Sequence, residues 1–99
     1  MKSEIFVKEL ESLCEQTGYT IRRERGSFRG DSCVMEGDKL ILINKNRPYE
    51  AQIGVLVRVL RNNGLEEVYV KPAVRKRIKE LWDRIDSMEK KIAKEEQAE

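Results

Sequence analysis

Residues 37–64, GDKLILINKNRPYEAQIGVLVRVLRNNG, contain the clearest strand and the clearest amphipathic helix of the chain. The opening Gly-Asp pair of this stretch is typical of a two-residue hairpin turn, and the run that follows, 39–44, carries apolar residues on both faces of a strand. We therefore predict a strand that is covered on both sides. Pro48 then suits the first turn of a helix, and Gly64 is placed to end it.

The helix within this stretch has a single apolar face. Its apolar residues recur at helical spacing, namely Ile53, Leu56, Val57 and Leu60. Gly54 lies in the helix interior, where it lowers helix stability by about 1 kcal/mol relative to alanine. We interpret Gly54 as an indication that another group packs closely against the helix at this point, or that helix stability is lowered in favour of another requirement.

The segment before residue 37 contains a helix and two further strands. A one-sided helix is predicted over about 4–16, with Ser3 as its cap and Gly18 at its end. Beyond Gly18 the period changes from helical to alternating. This alternation predicts strands near 19–22 and 32–36, which precede the apolar strand.

Two elements follow the central helix: a short strand at 66–70 and a long helix that begins at Pro72 and continues to about residue 95. The predicted fold class is α+β, with a small, mostly antiparallel sheet built in the order helix, three strands, helix, short strand, and with a long C-terminal helix. Residues 1–71 would form an α+β core domain. Residues 72–99 would form the helix, which either packs on the core or projects as a coiled-coil arm.

The composition indicates one small domain. Of the 99 residues, 39% are hydrophobic and 38% are charged, and a formal net charge of +2 gives no global attraction to nucleic acid or membranes. No membrane span or signal peptide is visible, which predicts a cytoplasmic location and no membrane partner. In a reducing compartment, Cys14 and Cys33 are expected to be buried thiols rather than a disulfide.

The chain contains no histidine, and this absence excludes many functions. A histidine general base, a His-containing zinc site and a Ser-His-Asp triad all require an imidazole. No Cys-x-x-Cys and no Gly-x-Ser-x-Gly motif is present either. We therefore predict a non-enzymatic domain that uses no cofactor and binds no metal.

The last helix carries a coiled-coil repeat, because its apolar residues are spaced alternately by four and three positions. They are Val74, Ile78, Leu81, Ile85, Met88 and Ile92. In a parallel pair, Arg84 would face Glu89 of the second copy. Lys91 would likewise face Glu96. The same stripe also suits docking of the helix on its own sheet, so the sequence is compatible with a monomer and with a homodimer.

Protein interaction, including self-association through this seam, is the function that the sequence favours. A charged residue in place of Ile85 is expected to dissociate such a dimer while leaving the fold mostly intact.

Two basic clusters favour a different function, the binding of nucleic acid or phosphate. The first combines arginines with one aromatic residue and lies in a glycine-containing loop: Arg22, Arg23, Arg25, Phe28 and Arg29. The second lies at the start of the last helix: Arg75, Lys76 and Lys79. Guanidinium groups suit phosphate and an aromatic ring suits an unpaired base. A turn with solvated charges explains the first cluster equally well, and Phe28 would then fold back into the core.

The central stretch resembles the strand-to-helix segment of the ImmA/IrrE-type zinc metallopeptidases. Three segments carry the resemblance: 41–44, 47–52 and 55–62. In that family the helix carries a His-Glu-x-x-His motif. An ungapped comparison puts Arg58 and Asn62 at the positions of the two histidines and Val59 at that of the glutamate. Because Arg58 and Val59 cannot support zinc chemistry, the resemblance implies a non-catalytic scaffold that could hold a protein or peptide at its sheet edge.

Overall fold

The structure is a computed structural model that describes the backbone of residues 1–25, 31–35 and 38–97 and the side chains of 1–25 and 39–92. It contains three helices and three strands within those residues. In chain order they are α1 (Ser3–Gln16), β1 (Thr20–Glu24), β2 (Asp31–Met35), β3 (Asp38–Asn44), α2 (Tyr49–Asn63) and α3 (Pro72–Gln97). The predicted α+β class is confirmed. The predicted contacts of Phe28 and Arg29 lie outside the described residues.

The three strands form one mixed sheet in the order β1-β3-β2. β1 runs parallel to β3, with Ile21 opposite Ile41. β2 runs antiparallel to β3, which confirms the predicted pairing of these two strands, and Cys33 lies opposite Leu40. A turn at 37–38 would put Cys33 opposite Leu42, so the predicted register was wrong by two residues, because Asp38 belongs to β3 and lies opposite Met35. The expectation of a mostly antiparallel sheet was wrong for β1, which pairs with β3 rather than with its neighbour in sequence.

Residue chemistry accounts for this strand order. β3 is the most apolar strand, and the central position pairs both of its edges with neighbours. β1 carries Arg22, Arg23 and Glu24 and lies at an edge, where charged side chains reach water and discourage further strand pairing. The parallel pairing also brings the C-terminal ends of β1 and β3 to the same edge of the sheet.

β3 is completely buried on one face and partly buried on the other. Ile41 and Ile43 are fully buried, while Leu40 and Leu42 on the opposite face remain partly exposed. The prediction of a strand covered on both sides is therefore met in full on one face and only in part on the other. The helices supply one layer only, and the apolar run in the sequence did not show how many layers the chain provides.

α1 lies over the sheet and packs against α2. Its buried residues are the predicted stripe: Phe6, Val7, Leu10, Leu13 and Cys14. The helix starts at Ser3 itself, with Lys2 at the cap position and no capping side chain, so the expectation that Ser3 caps the helix was wrong. Gly18 has φ = 100°, which confirms its role in ending the helix.

α2 starts directly after Pro48, and Gly64 with φ = 77° follows its last residue. The predicted strand at 66–70 is a turn instead, in which the Val68 N–H donates to the Leu65 carbonyl at 3.4 Å. Leu65 and Val70 are both buried and anchor this connection to the core. The alternating apolar residues of the predicted strand, Val68 and Val70, both pack against the core. They pair with none of the described strands.

α3 docks on the core with its first half and extends past it with its second. The helix has 26 residues, a length of about 39 Å, against a longest molecular dimension of 41 Å. Val74, Ile78 and Ile85 are buried, and the Trp82 indole N–H donates to the Val57 carbonyl at 2.8 Å. Within the described part of the chain, no helix is both long enough and apolar enough to cross a bilayer.

Candidate functional site

The distal part of α3 exposes two large apolar side chains. Met88 is 60% exposed and Ile92 is 53% exposed, although both belong to the predicted seam. They are four residues apart and therefore lie on one face of the helix. We call Met88 and Ile92 the distal surface of α3.

The remaining residues of the predicted seam face the chain's own core. Val74, Ile78 and Ile85 are 1%, 0% and 9% exposed, and Leu81 packs against the same cluster. A charged residue at Ile85 would therefore be placed in the core. The expectation that such a substitution separates a dimer without harming the fold does not fit this burial, and the distal surface is the part of the seam that another protein can reach.

Ion pairs hold α3 against α2 up to the beginning of the distal surface. Arg61 of α2 is paired with Asp86, and its Nη1 atom lies 3.4 Å from the Glu89 carboxylate. Glu89 is the residue that the parallel coiled-coil arrangement assigns to a second copy. Its carboxylate already has an intramolecular partner, which weakens that arrangement.

The arginine cluster of β1 is divided between the two faces of the strand. Arg22 is exposed and lies 3.2 Å from Glu24. Arg23 points to the helix side, where it pairs with Glu11 and donates to Gln52 Oε1 at 3.0 Å. Arg25 is exposed. Because strand residues alternate between faces, the structure does not bring Arg22 and Arg23 together on one surface.

The basic start of α3 forms a second surface. Arg75 and Lys79 line a groove of about 250 Å³ together with Trp82. Lys76 is exposed. The neighbouring Lys71 bonds to Glu9 at 2.8 Å, and this hydrogen bond and charge raise the pKa of Lys71. Because Lys71 is paired, Arg75, Lys76 and Lys79 are the cations of this cluster that remain for a ligand.

A groove that the sequence did not predict lies between the end of β3 and α2. It has a volume of about 370 Å³ and is lined by residues that include Arg47, Glu50, Gly54 and Arg58. Its apolar wall consists of Ile43, Ala51 and Val55. We call it the β3–α2 groove. The sequence feature that could have indicated this groove is Gly54, because it lies inside a helix and four residues before Arg58.

A chain of partly buried polar contacts supports this groove. Glu11 pairs with Arg23, and Arg23 donates to Gln52. Gln52, which is only 4% exposed, donates from Nε2 to the Arg47 carbonyl at 3.0 Å. Asn44 is 2% exposed and accepts a bond from the Asn46 N–H at 3.0 Å. These contacts fix the loop that carries Arg47.

No protein-family model, no curated protein and no solved structure matches the chain. The likeness to the ImmA/IrrE-type segment thus stays a hypothesis. At its key positions, Arg58 is exposed and lines the β3–α2 groove, while Val59 is buried in the core. Among the described residues, no three His, Cys, Asp or Glu side chains are grouped to hold a metal ion.

Proposed function

We propose that this chain is a non-enzymatic, cytoplasmic protein-interaction domain, and that the distal surface of α3 is its contact surface. The observation that carries the proposal is the exposure of Met88 and Ile92, 60% and 53%, on a helix that continues past the core. Helices that present apolar anchors at this spacing bind apolar grooves of partner proteins.

The surroundings of the distal surface suit such a contact. Ser87, Lys90 and Lys91 are exposed, so Met88 and Ile92 are apolar anchors within a charged rim. Protein interfaces commonly combine an apolar centre with a polar rim. Among the described side chains, Tyr69 is 79% exposed but lies outside the helices. Met1 and Ile5 are also exposed and four residues apart, but Met1 precedes α1 and does not share a helix face with Ile5.

The size of the distal surface favours a different protein over a second copy. Full burial of a large apolar side chain is worth about 1.5–3 kcal/mol, and Met88 and Ile92 are already about half buried. Two copies would therefore gain roughly 3–6 kcal/mol. Loss of translational and rotational freedom costs at least about 4 kcal/mol. A partner with a preformed apolar groove adds its own buried surface, whereas self-association through these residues alone is expected to be weak.

The test compares tagged wild-type protein with the Met88→Lys/Ile92→Lys variant in a pull-down from native lysate. We expect one protein to be recovered with the wild type and lost with the variant, because the charges prevent burial of the helix face. Ser87→Lys is the matched control, since it adds charge to an exposed neighbouring position outside the apolar face. Equal recovery with all three proteins would refute the proposal.

Light scattering of the same three proteins separates self-association from binding to another protein. We expect little mass increase for the wild type at micromolar concentration, in accordance with the small area of the distal surface. A stable dimer that the double variant abolishes would make a second copy the partner. A stable dimer in the double variant would place the contact elsewhere.

An alternative proposal is supported by one observation at the start of α3. Arg75, Lys79 and Trp82 line a common groove, and this combination of cations with an aromatic ring suits single-stranded nucleic acid. The first arginine cluster contributes less to this alternative, because Arg22 and Arg23 are paired with carboxylates.

Fluorescence anisotropy with a labelled single-stranded oligonucleotide tests this alternative. Binding should fall steeply with salt and should weaken by about tenfold or more in an Arg75→Gln/Lys79→Gln variant. A Lys90→Gln/Lys91→Gln variant removes the same charge from exposed positions and serves as the control. Affinity that does not change with salt, or equal losses in both variants, would exclude the alternative.

A further inference from the structure

The β3–α2 groove contains two arginines whose guanidinium groups have no carboxylate partner among the described side chains. Arg47 makes only main-chain hydrogen bonds, and Arg58 donates from Nη1 to the Gly54 carbonyl at a long 3.4 Å. In contrast, Arg23 and Arg61 are both paired with carboxylates of the chain. We propose that the β3–α2 groove binds a carboxylate carried by an apolar body, with the carboxylate seated against Arg47 and Arg58.

The charges of the groove favour a singly charged ligand. Arg47 and Arg58 contribute two positive charges and Glu50 contributes one negative charge, which leaves a net charge of +1. One carboxylate neutralises this charge, whereas a phosphate dianion would leave an excess negative charge next to Glu50. Guanidinium groups bind carboxylates through two parallel hydrogen bonds, which adds geometric selectivity.

The apolar wall accounts for the second part of the ligand. Ile43, Ala51 and Val55 line the groove beside the charged residues. The groove volume of about 370 Å³ lies within the range of small-ligand sites. An acid with a short aliphatic chain can therefore contact the wall while its carboxylate reaches the guanidinium groups. A free organic acid and the C-terminal carboxylate of a peptide both have this chemistry.

The absence of a side chain at Gly54 leaves room for the guanidinium group of Arg58 beside the groove. A Cβ added at Gly54 would lie 3.3 Å from Arg58 Nη1, so the guanidinium group folds back over the surface that a side chain would occupy. Glycine is unfavourable inside a helix. The close approach of the guanidinium group explains why the helix carries this residue, and it holds the exposed charge of Arg58 beside the groove.

Buried polar residues keep the groove in shape. Gln52 and Asn44 also line the groove, are 4% and 2% exposed, and make hydrogen bonds with the loop at 45–48. Buried amides are costly unless they are hydrogen bonded, so their bonds specify the path of this loop. The loop in turn positions Arg47. The groove is thus organised before any ligand arrives, which lowers the entropic cost of binding.

Nuclear magnetic resonance titrations test the proposal directly. The probes are hexanoate and N-acetyl-leucine, each compared with its neutral amide, and the observed signals are the backbone amides of Asn44, Gly54 and Arg58. We expect saturable shifts with both carboxylates and none with the amides. The tighter of the two carboxylates identifies the source, free acid or peptide terminus. Equal shifts with acid and amide, or no saturable shift at millimolar probe, would overturn the proposal.

Substitution of each arginine tests whether its guanidinium group binds the carboxylate. Arg47→Gln and Arg58→Gln should each weaken carboxylate binding by about tenfold, because each removes a charge-assisted hydrogen bond. Lys90→Gln removes one exposed positive charge from α3 and should leave the affinity unchanged. Tighter binding of phenyl phosphate than of hexanoate would contradict the argument from the net charge. This groove shares no lining residue with the distal surface of α3, so the two proposals fail or succeed independently.

Discussion

Cys14 is a fully buried thiol on α1, and its Sγ atom lies 3.9 Å from the Leu56 carbonyl oxygen of α2. Burial, with a smaller contribution from the charge of Glu15, raises the pKa of Cys14 to about 12. The thiolate is disfavoured because a charge loses its hydration in the core. Cys14 is therefore a packing residue that stays protonated at neutral pH.

The raised pKa of Cys14 predicts a loss of stability at high pH. In the unfolded chain the thiol titrates near its ordinary pKa of 9.0, whereas the folded value is about 12. The folded state thus holds the proton more tightly, and this contribution is complete below pH 9 and is lost as the pH rises toward 12. The free energy of unfolding should fall by up to about 1.4 kcal/mol per pH unit in this window.

Urea unfolding from pH 8 to pH 10.5 measures this effect, with Cys14→Ala as the reference. The variant lacks the thiol, so its stability should fall less steeply above pH 9. Lys71, whose pKa is also raised, is present in both proteins and its contribution cancels in the comparison. Identical slopes for the two proteins would show that Cys14 is not shielded from ionisation.

Gly54 and Gly64 predict opposite responses to alanine. Gly54→Ala should stabilise α2 by up to about 1 kcal/mol, because the added methyl group meets only the flexible end of Arg58 at 3.3 Å. The same change should weaken carboxylate binding in the β3–α2 groove, since it displaces that guanidinium group.

Gly64→Ala should destabilise the protein by about 1–3 kcal/mol, because φ of 77° with ψ of 174° strains any other residue.

Thermal unfolding of both glycine variants provides the measurement. The expected result is a higher melting temperature for Gly54→Ala and a lower one for Gly64→Ala. A loss of stability in Gly54→Ala would mean that Arg58 cannot move aside, and would contradict the expectation that its flexible end yields to the added methyl group.

At the scale of elements, the sequence predicted the three helices well and the sheet only in part. Helix bounds follow from local features, such as Pro48 before α2 and Gly18 after α1. Strand partners depend on residues far apart in the chain, so adjacent strands were assumed to pair. The chain instead inserts β3 between β1 and β2, which gives its most apolar strand the central position.

The docking of α3 predicts that two seam residues differ in their effect on stability. Ile85→Ala should cost about 2–4 kcal/mol, because the side chain is 9% exposed and its loss leaves a cavity. Met88→Ala should change the free energy of unfolding by less than about 0.5 kcal/mol, because Met88 is 60% exposed. Chemical unfolding of the two variants measures the difference. Equal effects would mean that α3 is not docked up to Ile85.

For the whole molecule, the sequence predicted part of the distal surface of α3 but did not predict the β3–α2 groove. A spacing of four and three residues is produced both by a coiled-coil seam and by a helix that docks on its own domain. The sequence therefore included Met88 and Ile92 in the seam but could not separate them from Val74, Ile78 and Ile85. The β3–α2 groove escaped prediction because Arg47 and Arg58 line one groove only when the loop and α2 fold against β3.

Photo-crosslinking in native cells shows whether the distal surface of α3 contacts another protein. A benzophenone residue would replace Met88 in one protein and Glu80, an exposed residue earlier on the same helix, in another. We expect one discrete adduct from position 88 and none from position 80. An adduct at twice the chain mass of 11.6 kDa would identify the partner as a second copy. No adduct at position 88, or the same adducts at both positions, would contradict the account.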